Sequence, residues 1–359
     1  MHGPYITIAP EKIVHNARTI TRLCGQYGIA VTGVTKGTCG HPQVAHAMLR
    51  GGVASIGESR LHNIRRLQAR GVRTSYMLLR IPPLSEVDDV VASVDISLNS
   101  EVSVIAALSN AACRRGRVHN IITMVDLGDL REGVWPDDLM PFVRDVIRLP
   151  GIRLVGLGTN LSCYGGVIPT EDNMQQLVAY AEHIESAFGL HLPYISGGNS
   201  SALPLIATGK MPRRINHVRI GEGILLGRET LHRTAWPETY QDAFLLHAEV
   251  IELKEKPSVP IGPTSKDAFG GEPTFVDRGD MTRAILNIGR EDVDIHGLTP
   301  LDPRLVIVGA SSDHLIVDAT AAASTMHVGD NMVFALNYSA LLAAMTSPYV
   351  AKRPLPGGC

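Results

Sequence analysis

The stretch Val31-Thr-Gly-Val-Thr-Lys-Gly-Thr-Cys-Gly40 decides how this chain is organised. An apolar, β-branched run ends at Lys36, and glycines and a helix-like segment from His41 follow it. The stretch therefore predicts a buried strand that carries an amine at its carboxyl end. An amine there can be desolvated and held partly neutral, as a nucleophile that forms a Schiff base requires. The alternative interpretation of this window is a strand-end lysine that extends its amine into solvent.

The same pattern repeats over the first two-thirds of the chain. Short apolar runs, typical of parallel strands buried on both faces, alternate with amphipathic segments. The predicted strands are residues 30–35, 53–56, 74–79, 94–98, 120–125, 153–157, 192–195 and 216–220, and helices are predicted at 42–49, 60–68, 101–112, 136–147 and 174–188. About eight β/α units predict an α/β fold with an N-terminal (β/α)8 barrel over residues 1–235. An open doubly wound sheet is the alternative, but no G-x-G-x-x-G motif follows the first strand.

The pattern changes near Trp236-Pro237. Residues 248–253, 283–288, 305–309, 315–318 and 331–336 are predicted strands, and prolines and glycines separate them. Residues 236–359 are therefore expected to form a smaller, mostly β domain.

Composition limits the class of protein. The chain has 359 residues and a formal net charge of −2, with 33 Lys and Arg against 35 Asp and Glu, which argues against a nucleic-acid or membrane-surface partner. No apolar run approaches the roughly 18 residues of a membrane span, and the N-terminus lacks the basic start of a signal peptide. Five scattered cysteines, Cys24, Cys39, Cys113, Cys163 and Cys359, are typical of cytoplasmic thiols rather than of a disulfide framework.

Several chemically suggestive stretches follow predicted barrel strands, where barrel enzymes carry their active sites. Residues 126–133 follow the fifth strand, 158–166 the sixth, 196–202 the seventh and 219–223 the eighth. Glycines and small hydroxyl residues after the last two strands predict a cradle for a phosphate group, because backbone N–H groups and serine hydroxyls can bind a dianion there. Either loop alone would be read as an ordinary turn.

Four runs together carry a resemblance to a known family. They are Leu78-Leu-Arg-Ile-Pro82, Ser196-Gly-Gly-Asn-Ser200, Ile215-Asn-His-Val-Arg-Ile-Gly-Glu-Gly-Ile-Leu-Leu-Gly227 and Ser311-Ser-Asp-His-Leu-Ile-Val-Asp318. With Lys36, they make the chain resemble the alanine racemase fold type (fold type III) of enzymes that depend on pyridoxal 5′-phosphate (PLP), and within it the alanine/ornithine racemase-like branch. The resemblance covers nearly the whole length and implies a barrel followed by a β domain, PLP as cofactor, and a homodimer with shared active sites.

The resemblance also implies roles for individual residues. Lys36 matches the lysine that forms the Schiff base with the cofactor. Arg131 matches the arginine near the phenolic oxygen of the cofactor and the substrate carboxylate, and Asn160 stands where the family has a histidine against the ring. The phosphate loops match Asn199, Ser200, Ser201, Gly221 and Gly223.

Arg219 matches the arginine that faces the pyridine nitrogen in alanine racemases. A permanent cation cannot take up a proton, so the nitrogen facing it stays unprotonated and the ring is a weaker electron sink. This favours simple proton transfer, and hence racemisation. Glu222 is the alternative partner of the nitrogen; a carboxylate there would protonate the ring and favour lyase or decarboxylase chemistry.

The chain departs from the family at the positions of two tyrosines. Gly40 stands where alanine racemases have a tyrosine four residues after the lysine, and Arg290 stands where the tyrosine of the partner's β domain would lie. The second proton carrier is therefore predicted elsewhere. Asp313 and His314 are the chosen candidates, with Tyr338 and Tyr349 as alternatives.

The predicted function is a PLP-dependent racemase that interconverts L- and D-amino acids, with ornithine, lysine or alanine as substrate. Glu291, Asp292 and Asp294 form an acidic cluster that would pair with a distal amine if it lined the site; the alternative is a solvated acidic turn.

Three other functions stay open at this point. A PLP-dependent lyase or aldolase of the same fold would act on β-hydroxy amino acids and could use Asp292, Asp294 and His296 as metal ligands, although their spacing is unspecific. A non-catalytic PLP-binding protein is the second, and a Schiff-base barrel aldolase without PLP is the third.

Overall fold

The computed structural model describes residues 3–272 and 274–355. It divides into two compact units: a barrel unit, Pro10–Gln241, and a β unit made of the described parts of Met1–Ala9 and Asp242–Cys359. The sequence placed one boundary after residue 235 and assigned the first residues to the barrel. In the structure the change comes six residues later, and the N-terminal strand pairs with strands of the β unit.

Eight parallel strands of the barrel unit close into a ring, in chain order. With strands and helices numbered along the chain, they are β2 Ala30–Val34, β3 Ser55–Glu58, β4 Tyr76–Leu78, β5 Ile96–Asn99, β6 His119–Met124, β7 Ile152–Gly158, β8 Tyr194–Ser196 and β9 His217–Ile220. Each overlaps one of the predicted strands. The barrel prediction is confirmed, and the closed ring excludes the doubly wound alternative.

One helix precedes the first barrel strand, and one helix follows each of the eight. They are α1 Pro10–Gln26, α2 Pro42–Arg50, α3 Leu61–Ala69, α4 Val87–Ser93, α5 Val102–Arg114, α6 Leu139–Val146, α7 Glu171–Phe188, α8 Leu203–Ala207 and α9 Glu222–Leu225. Short 3₁₀ turns occupy Lys36–Thr38, Leu84–Glu86, Pro136–Asp138 and Ser200–Ala202. No helix in the described part of the chain is both long enough and apolar enough to cross a membrane.

The barrel is a packed core rather than a pore. Side chains of β4, β5, β6 and β7 form one buried apolar cluster, against which Tyr194 of β8 packs. Gly156 leaves the room for this packing, because a Cβ on it would lie 2.2 Å from the Tyr194 carbonyl oxygen. The polar groups available for chemistry therefore lie mainly at the ends of the strands.

The β unit is built on antiparallel strands. The strands are β1 Tyr5–Ile8, β10 Phe244–Pro257, β11 Asp280–Leu286, β12 Leu298–Pro300, β13 Val306–Ala310, β14 Leu315–Asp318, β15 Asn331–Leu336 and β16 Ala351–Pro354, with helix α10 Tyr338–Thr346 and 3₁₀ turns Ile295–Gly297 and Thr320–Thr325. Six of them run in the order β12-β15-β10-β11-β14-β13, and β1 pairs antiparallel with β10 and parallel with β16. The predicted mostly-β domain is confirmed.

Candidate active site

Because the barrel strands are parallel, their carboxyl ends meet at one rim. The loops after β2, β6, β7, β8 and β9 therefore converge there. Together with Arg219 of β9, they contain the site residues that the sequence predicted within the barrel unit.

Lys36 is the first residue after β2 and begins the 3₁₀ turn Lys36–Thr38. The turn is anchored by the Thr35 N–H, which donates to the Gly57 carbonyl of β3 at 3.1 Å, and by the Thr38 hydroxyl, which donates to the Thr35 carbonyl at 3.0 Å. Lys36 is exposed to solvent at the rim, but many neighbouring protein atoms surround its amine and partly desolvate it. This desolvation lowers the pKa of the Lys36 amine, and the positive charge of Arg131 lowers it further. A lowered pKa gives a larger neutral fraction, as the sequence predicted for a nucleophile.

Glu58 ends β3 beside this turn and is completely buried. Its carboxylate accepts hydrogen bonds from Asn63 Nδ2 at 2.8 Å and from the Thr35 hydroxyl at 3.4 Å. Desolvation raises the pKa of Glu58, and the hydrogen bonds oppose that shift. The negative charge of Glu58 acts on Lys36 and raises its pKa, a smaller effect than desolvation. Glu58 was not among the predicted site residues, although it lies at the carboxyl end of a barrel strand.

The loop after β6 is held in a tight turn that presents Arg131. The Asp126 carboxylate accepts from the N–H groups of Gly128 at 2.8 Å and Leu130 at 3.2 Å. Gly133 has φ +150°, and a Cβ on it would lie 2.3 Å from the Asp126 nitrogen. Only glycine therefore allows the backbone to fold back against Asp126 at the end of this loop. Asp126 is thus a structural residue of the loop.

All three guanidinium nitrogens of Arg131 are occupied. Nε and Nη2 donate to the carboxylate of Glu132, and Nη1 donates to the Cys163 sulfur at 2.8 Å. The sequence predicted Arg131 but attached no role to Glu132 or Cys163.

A buried carboxylate fastens the loop after β7 to the loop after β6. Asp129 accepts from the backbone N–H groups of Cys163 at 3.3 Å, Tyr164 at 2.9 Å and Val167 at 3.1 Å. The Gly165 N–H donates to the Asp129 carbonyl at 2.9 Å. These bonds fix Cys163 against Arg131.

Arg219 of β9 is a buried cation inside the rim. Nη1 donates to the Ser196 hydroxyl at 2.5 Å, and Nη2 donates to the Thr159 carbonyl at 2.7 Å. No carboxylate forms an ion pair with Arg219 within residues 3–272 and 274–355. Burial lowers the pKa of Arg219 to about 10, which still leaves it charged at neutral pH.

The guanidinium orders a chain of hydrogen bonds through the barrel. Because Arg219 can only donate, the Ser196 hydroxyl accepts from it and donates a hydrogen bond to His217 Nδ1 at 2.8 Å. His217 must then carry its proton on Nε2 and donate to Thr32 Oγ1 at 2.7 Å, leaving Thr32 to donate to Ser55 at 2.6 Å. Burial lowers the pKa of His217 to about 3, so the imidazole is neutral and can play this part.

The loops after β8 and β9 meet, as the predicted phosphate cradle requires. The Gly223 N–H donates to the Ser200 hydroxyl at 3.1 Å, and the Asn199 side chain accepts from the Ser201 N–H at 2.8 Å. Asn199 also donates to the Asn160 side-chain oxygen at 3.1 Å. The Ser201 hydroxyl and the Asn160 amide nitrogen are buried, and neither has a partner among the described residues. An anion with several acceptor oxygens would satisfy such donors.

Glu222 is engaged elsewhere. Its carboxylate, with only 10% of the side chain exposed, accepts from Arg233 Nη1 at 2.7 and 2.8 Å. Desolvation raises the pKa of Glu222, and Arg233 opposes the shift.

Asp313 and His314 lie in the turn between β13 and β14 of the β unit, and both are exposed. The turn is closed by the Ser311 N–H, which donates to the His314 carbonyl at 2.9 Å, and the Arg290 N–H donates to the Ser311 carbonyl at 3.0 Å. Arg290, at the position of the missing tyrosine, is thus next to this turn. The role of Asp313 or His314 as the second proton carrier stays a prediction.

The acidic cluster is mostly structural. Asp292 is buried and accepts from the Ser347 hydroxyl at 2.9 Å, and Asp294 accepts from the His296 N–H at 3.1 Å and from the Ser339 hydroxyl at 2.5 Å. No group of three or more His, Cys, Asp or Glu side chains is arranged to hold a metal ion in the described ranges. Asp292, Asp294 and His296 therefore do not form the ligand set that the lyase alternative required.

Comparison with known proteins agrees with this geometry. A family model, the N-terminal domain of alanine racemase, matches residues 8–229. The chain is 44% identical to an ornithine racemase of Acetoanaerobium sticklandii over 98% of this chain and 99% of that one, and 40% identical to a lysine racemase of Thermotoga maritima over 97% and 98%. The chain belongs to the alanine racemase family. It is accordingly an isomerase, an amino-acid racemase that acts on small-molecule substrates.

A solved relative agrees in fold. An alanine racemase of Bartonella henselae, with covalently bound pyridoxal phosphate, superposes with a TM-score of 0.73 at 18% identity, covering 99% of this chain and all of that one (100%). At this identity the likeness shows the fold alone, while membership of the family implies dependence on PLP.

Proposed function

We propose that this racemase binds PLP at the barrel rim and uses Lys36 as one of two proton carriers on ornithine, lysine or alanine. When bound, PLP supplies an aldehyde that condenses with amines and a conjugated ring that withdraws electrons from Cα. The observation that carries the proposal is the placement of three groups at one rim: a lysine with lowered pKa, a buried guanidinium, and a buried serine hydroxyl that lacks a partner.

The residues at the rim fit this cofactor. Ser200, Ser201 and the backbone of Gly221 and Gly223 would hold the phosphate, with Asn199 fixing the first loop against Asn160. The Ser201 hydroxyl, which has no partner among the described residues, supports this assignment, because a phosphate oxygen would accept a hydrogen bond from it.

Arg219 is the proposed partner of the pyridine nitrogen. It is buried and fixed by Ser196 and Thr159, whereas the Glu222 carboxylate is occupied by Arg233. A guanidinium that remains charged near neutral pH keeps the nitrogen unprotonated, which supports racemisation over lyase chemistry.

Lys36 would remove or return the Cα proton on one face of the substrate. Its lowered pKa provides the neutral amine that a base requires near neutral pH. Inversion needs a second group on the opposite face, and we assign it to Asp313 or His314 of a partner chain in a homodimer with shared active sites. Arg131 would bind the substrate carboxylate.

The substrate range follows the names of the two similar curated proteins, an ornithine racemase and a lysine racemase. A cytoplasmic location is also proposed, since Cys24, Cys39, Cys113 and Cys163 are free thiols; Cys359 lies outside the described residues.

The test is incubation with a panel of L-amino acids and PLP in deuterium oxide, following Cα deuteration and optical rotation together. We expect both to change at linked rates with no other product, and ornithine and lysine to react fastest. Lys36→Ala should lose the absorbance of the lysine-linked cofactor as well as racemisation. A Lys36→Ala protein that keeps this absorbance would show that another lysine is used.

A further inference from the structure

Glu132 occupies the group that the substrate should bind. Its carboxylate accepts from Nε and Nη2 of Arg131, and Cys163 accepts from Nη1. Glu132 therefore holds the side of the guanidinium, Nε with Nη2, where an incoming α-carboxylate could bind through two parallel hydrogen bonds. Only 20% of the Glu132 side chain and 34% of the Arg131 side chain are exposed, so the pair is largely enclosed at the rim. A substrate carboxylate that binds to Nε and Nη2 displaces Glu132.

Displacing Glu132 exchanges one carboxylate for another on the same guanidinium. The exchange costs Arg131 little interaction energy, because either carboxylate offers two oxygens to the same pair of guanidinium nitrogens. Glu132, however, is left as a largely enclosed carboxylate without a cation, and an enclosed charge without a partner costs free energy. A substrate that brings a second ammonium group supplies the missing cation, whereas alanine does not.

Glu132 lies in the right place for such an exchange. Its charge acts on Lys36 and on Arg219, so it lies within electrostatic range of both reactive groups of the rim. Glu58 is the other carboxylate that acts on Lys36, but it is fully buried and held by Asn63 and Thr35. Of these two carboxylates, only Glu132 would lose its partner, Arg131, to the substrate.

We propose that Glu132 determines specificity: it leaves Arg131 when the substrate carboxylate binds there, and it then pairs with the distal ammonium of a diamino acid. This rests on the proposed function, since it takes Arg131 as the group that binds the substrate carboxylate. Every charge keeps a partner in this exchange. The Arg131–Glu132 ion pair is replaced by two ion pairs, one between Arg131 and the substrate carboxylate and one between Glu132 and the distal ammonium.

The test compares L-ornithine with L-norleucine, which has the same shape but a methyl group in place of the ammonium. The kcat/KM values for both are measured in wild type, Glu132→Gln and Glu132→Asp. We expect Glu132→Gln to reduce the preference for ornithine by at least about tenfold, since a charged hydrogen bond of this kind contributes about 1.5–3 kcal/mol. Glu132→Asp should retain part of the preference. Norleucine should react as fast or faster with Glu132→Gln, because the competitor for Arg131 is gone.

Glu238→Gln is the matched control, because it removes a surface carboxylate–arginine pair with Arg22 elsewhere in the barrel unit. It should leave the ratio unchanged. Glu291→Gln tests the rival acidic residue of the β unit; if it abolishes the preference and Glu132→Gln does not, the proposal is wrong. Equal changes for both substrates in Glu132→Gln would also overturn it, because Glu132 would then act on Arg131 alone.

A binding measurement separates this inference from the proposed function. Calorimetric dissociation constants of both amino acids are measured with Lys36→Ala, with and without Glu132→Gln, in the presence of PLP. Loss of the ornithine preference only in the double variant supports Glu132 even if the wild type racemises nothing, in which case the proposed function alone fails. An unchanged preference overturns the role of Glu132 whatever the activity.

Discussion

At the scale of single residues, the site is governed by which charges have partners. Lys36 is desolvated and close to Arg131, and both effects favour its neutral form. Arg219 has only neutral partners, so its charge is available to a ligand. The sequence predicted Lys36 from its position at a strand end and Arg219 from the family resemblance. It did not identify Glu132, because adjacent Arg and Glu residues in a loop look like an ordinary solvated pair.

The desolvation of Lys36 predicts an unusual pH dependence of stability. A lysine whose pKa is lowered by folding destabilises the native state while it is charged. Between the lowered pKa and the ordinary value of 10.5 the unfolded chain binds more protons, so stability rises with pH in that window. Lys36→Met removes this effect. Without PLP, it should therefore unfold at higher urea concentration than wild type at neutral pH, and the difference should shrink as the pH approaches 10.5.

Urea titrations at several pH values measure this difference. Lys210→Met, which replaces an exposed lysine of the barrel unit, serves as control and should show no such trend. A difference that grows with pH would mean that Lys36 is not desolvated.

At the scale of elements, prediction succeeded where the signal was local. The barrel strands are buried on both faces, so each is a short apolar run that can be read directly from the sequence. The N-terminal strand Tyr5–Ile8 was not predicted, since its partners in β10 and β16 are about 240 and 350 residues away in the chain and the local sequence does not indicate the pairing. The link between Ser196 and His217 was also missed, because it depends on two neighbouring strands that bring side chains into one network.

The two rim loops joined by Asp129 should behave as one element. Asp129→Ala would leave the backbone N–H groups of Cys163, Tyr164 and Val167 without their acceptor. We expect a loss of about 3 kcal/mol of stability, or local opening of both loops, because three partly buried donors lose their acceptor at about 1 kcal/mol each, the low end of the cost for a buried donor. Hydrogen exchange should become faster in residues 126–134 and 159–167 together.

Asp137→Ala, an exposed acidic residue after the same strand, is the control and should change neither property. If exchange accelerates in only one of the two loops, the carboxylate does not couple them.

At the scale of the whole molecule, one end of the barrel gathers groups from five strands that are far apart in sequence. Lys36 and Ser201 are separated by 165 residues, yet the ring of parallel strands brings their loops to a common rim. The sequence predicted this gathering from the order of strands and the family resemblance. The unpartnered hydroxyl of Ser201 was visible only in the structure, since burial and partners depend on the packed loops. This hydroxyl allows the cofactor assignment to be tested through the stability of the full chain.

A ligand that binds only the native state stabilises it by about 2.7 kcal/mol at a hundredfold excess over its Kd. For a protein of this size that corresponds to roughly 3–4 °C in Tm. We expect PLP to raise the Tm of the wild type by such an amount and pyridoxal, which lacks the phosphate, to raise it less. Ser201→Ala should reduce the shift caused by PLP and leave the shift caused by pyridoxal unchanged, because the variant removes only a hydroxyl that donates to the phosphate.

Ser265→Ala, in an exposed segment of the β unit, is the control and should match the wild type with both ligands. Equal Tm shifts for PLP and pyridoxal in the wild type would mean that the loops after β8 and β9 do not hold a phosphate, and that the cofactor assignment of this rim is wrong.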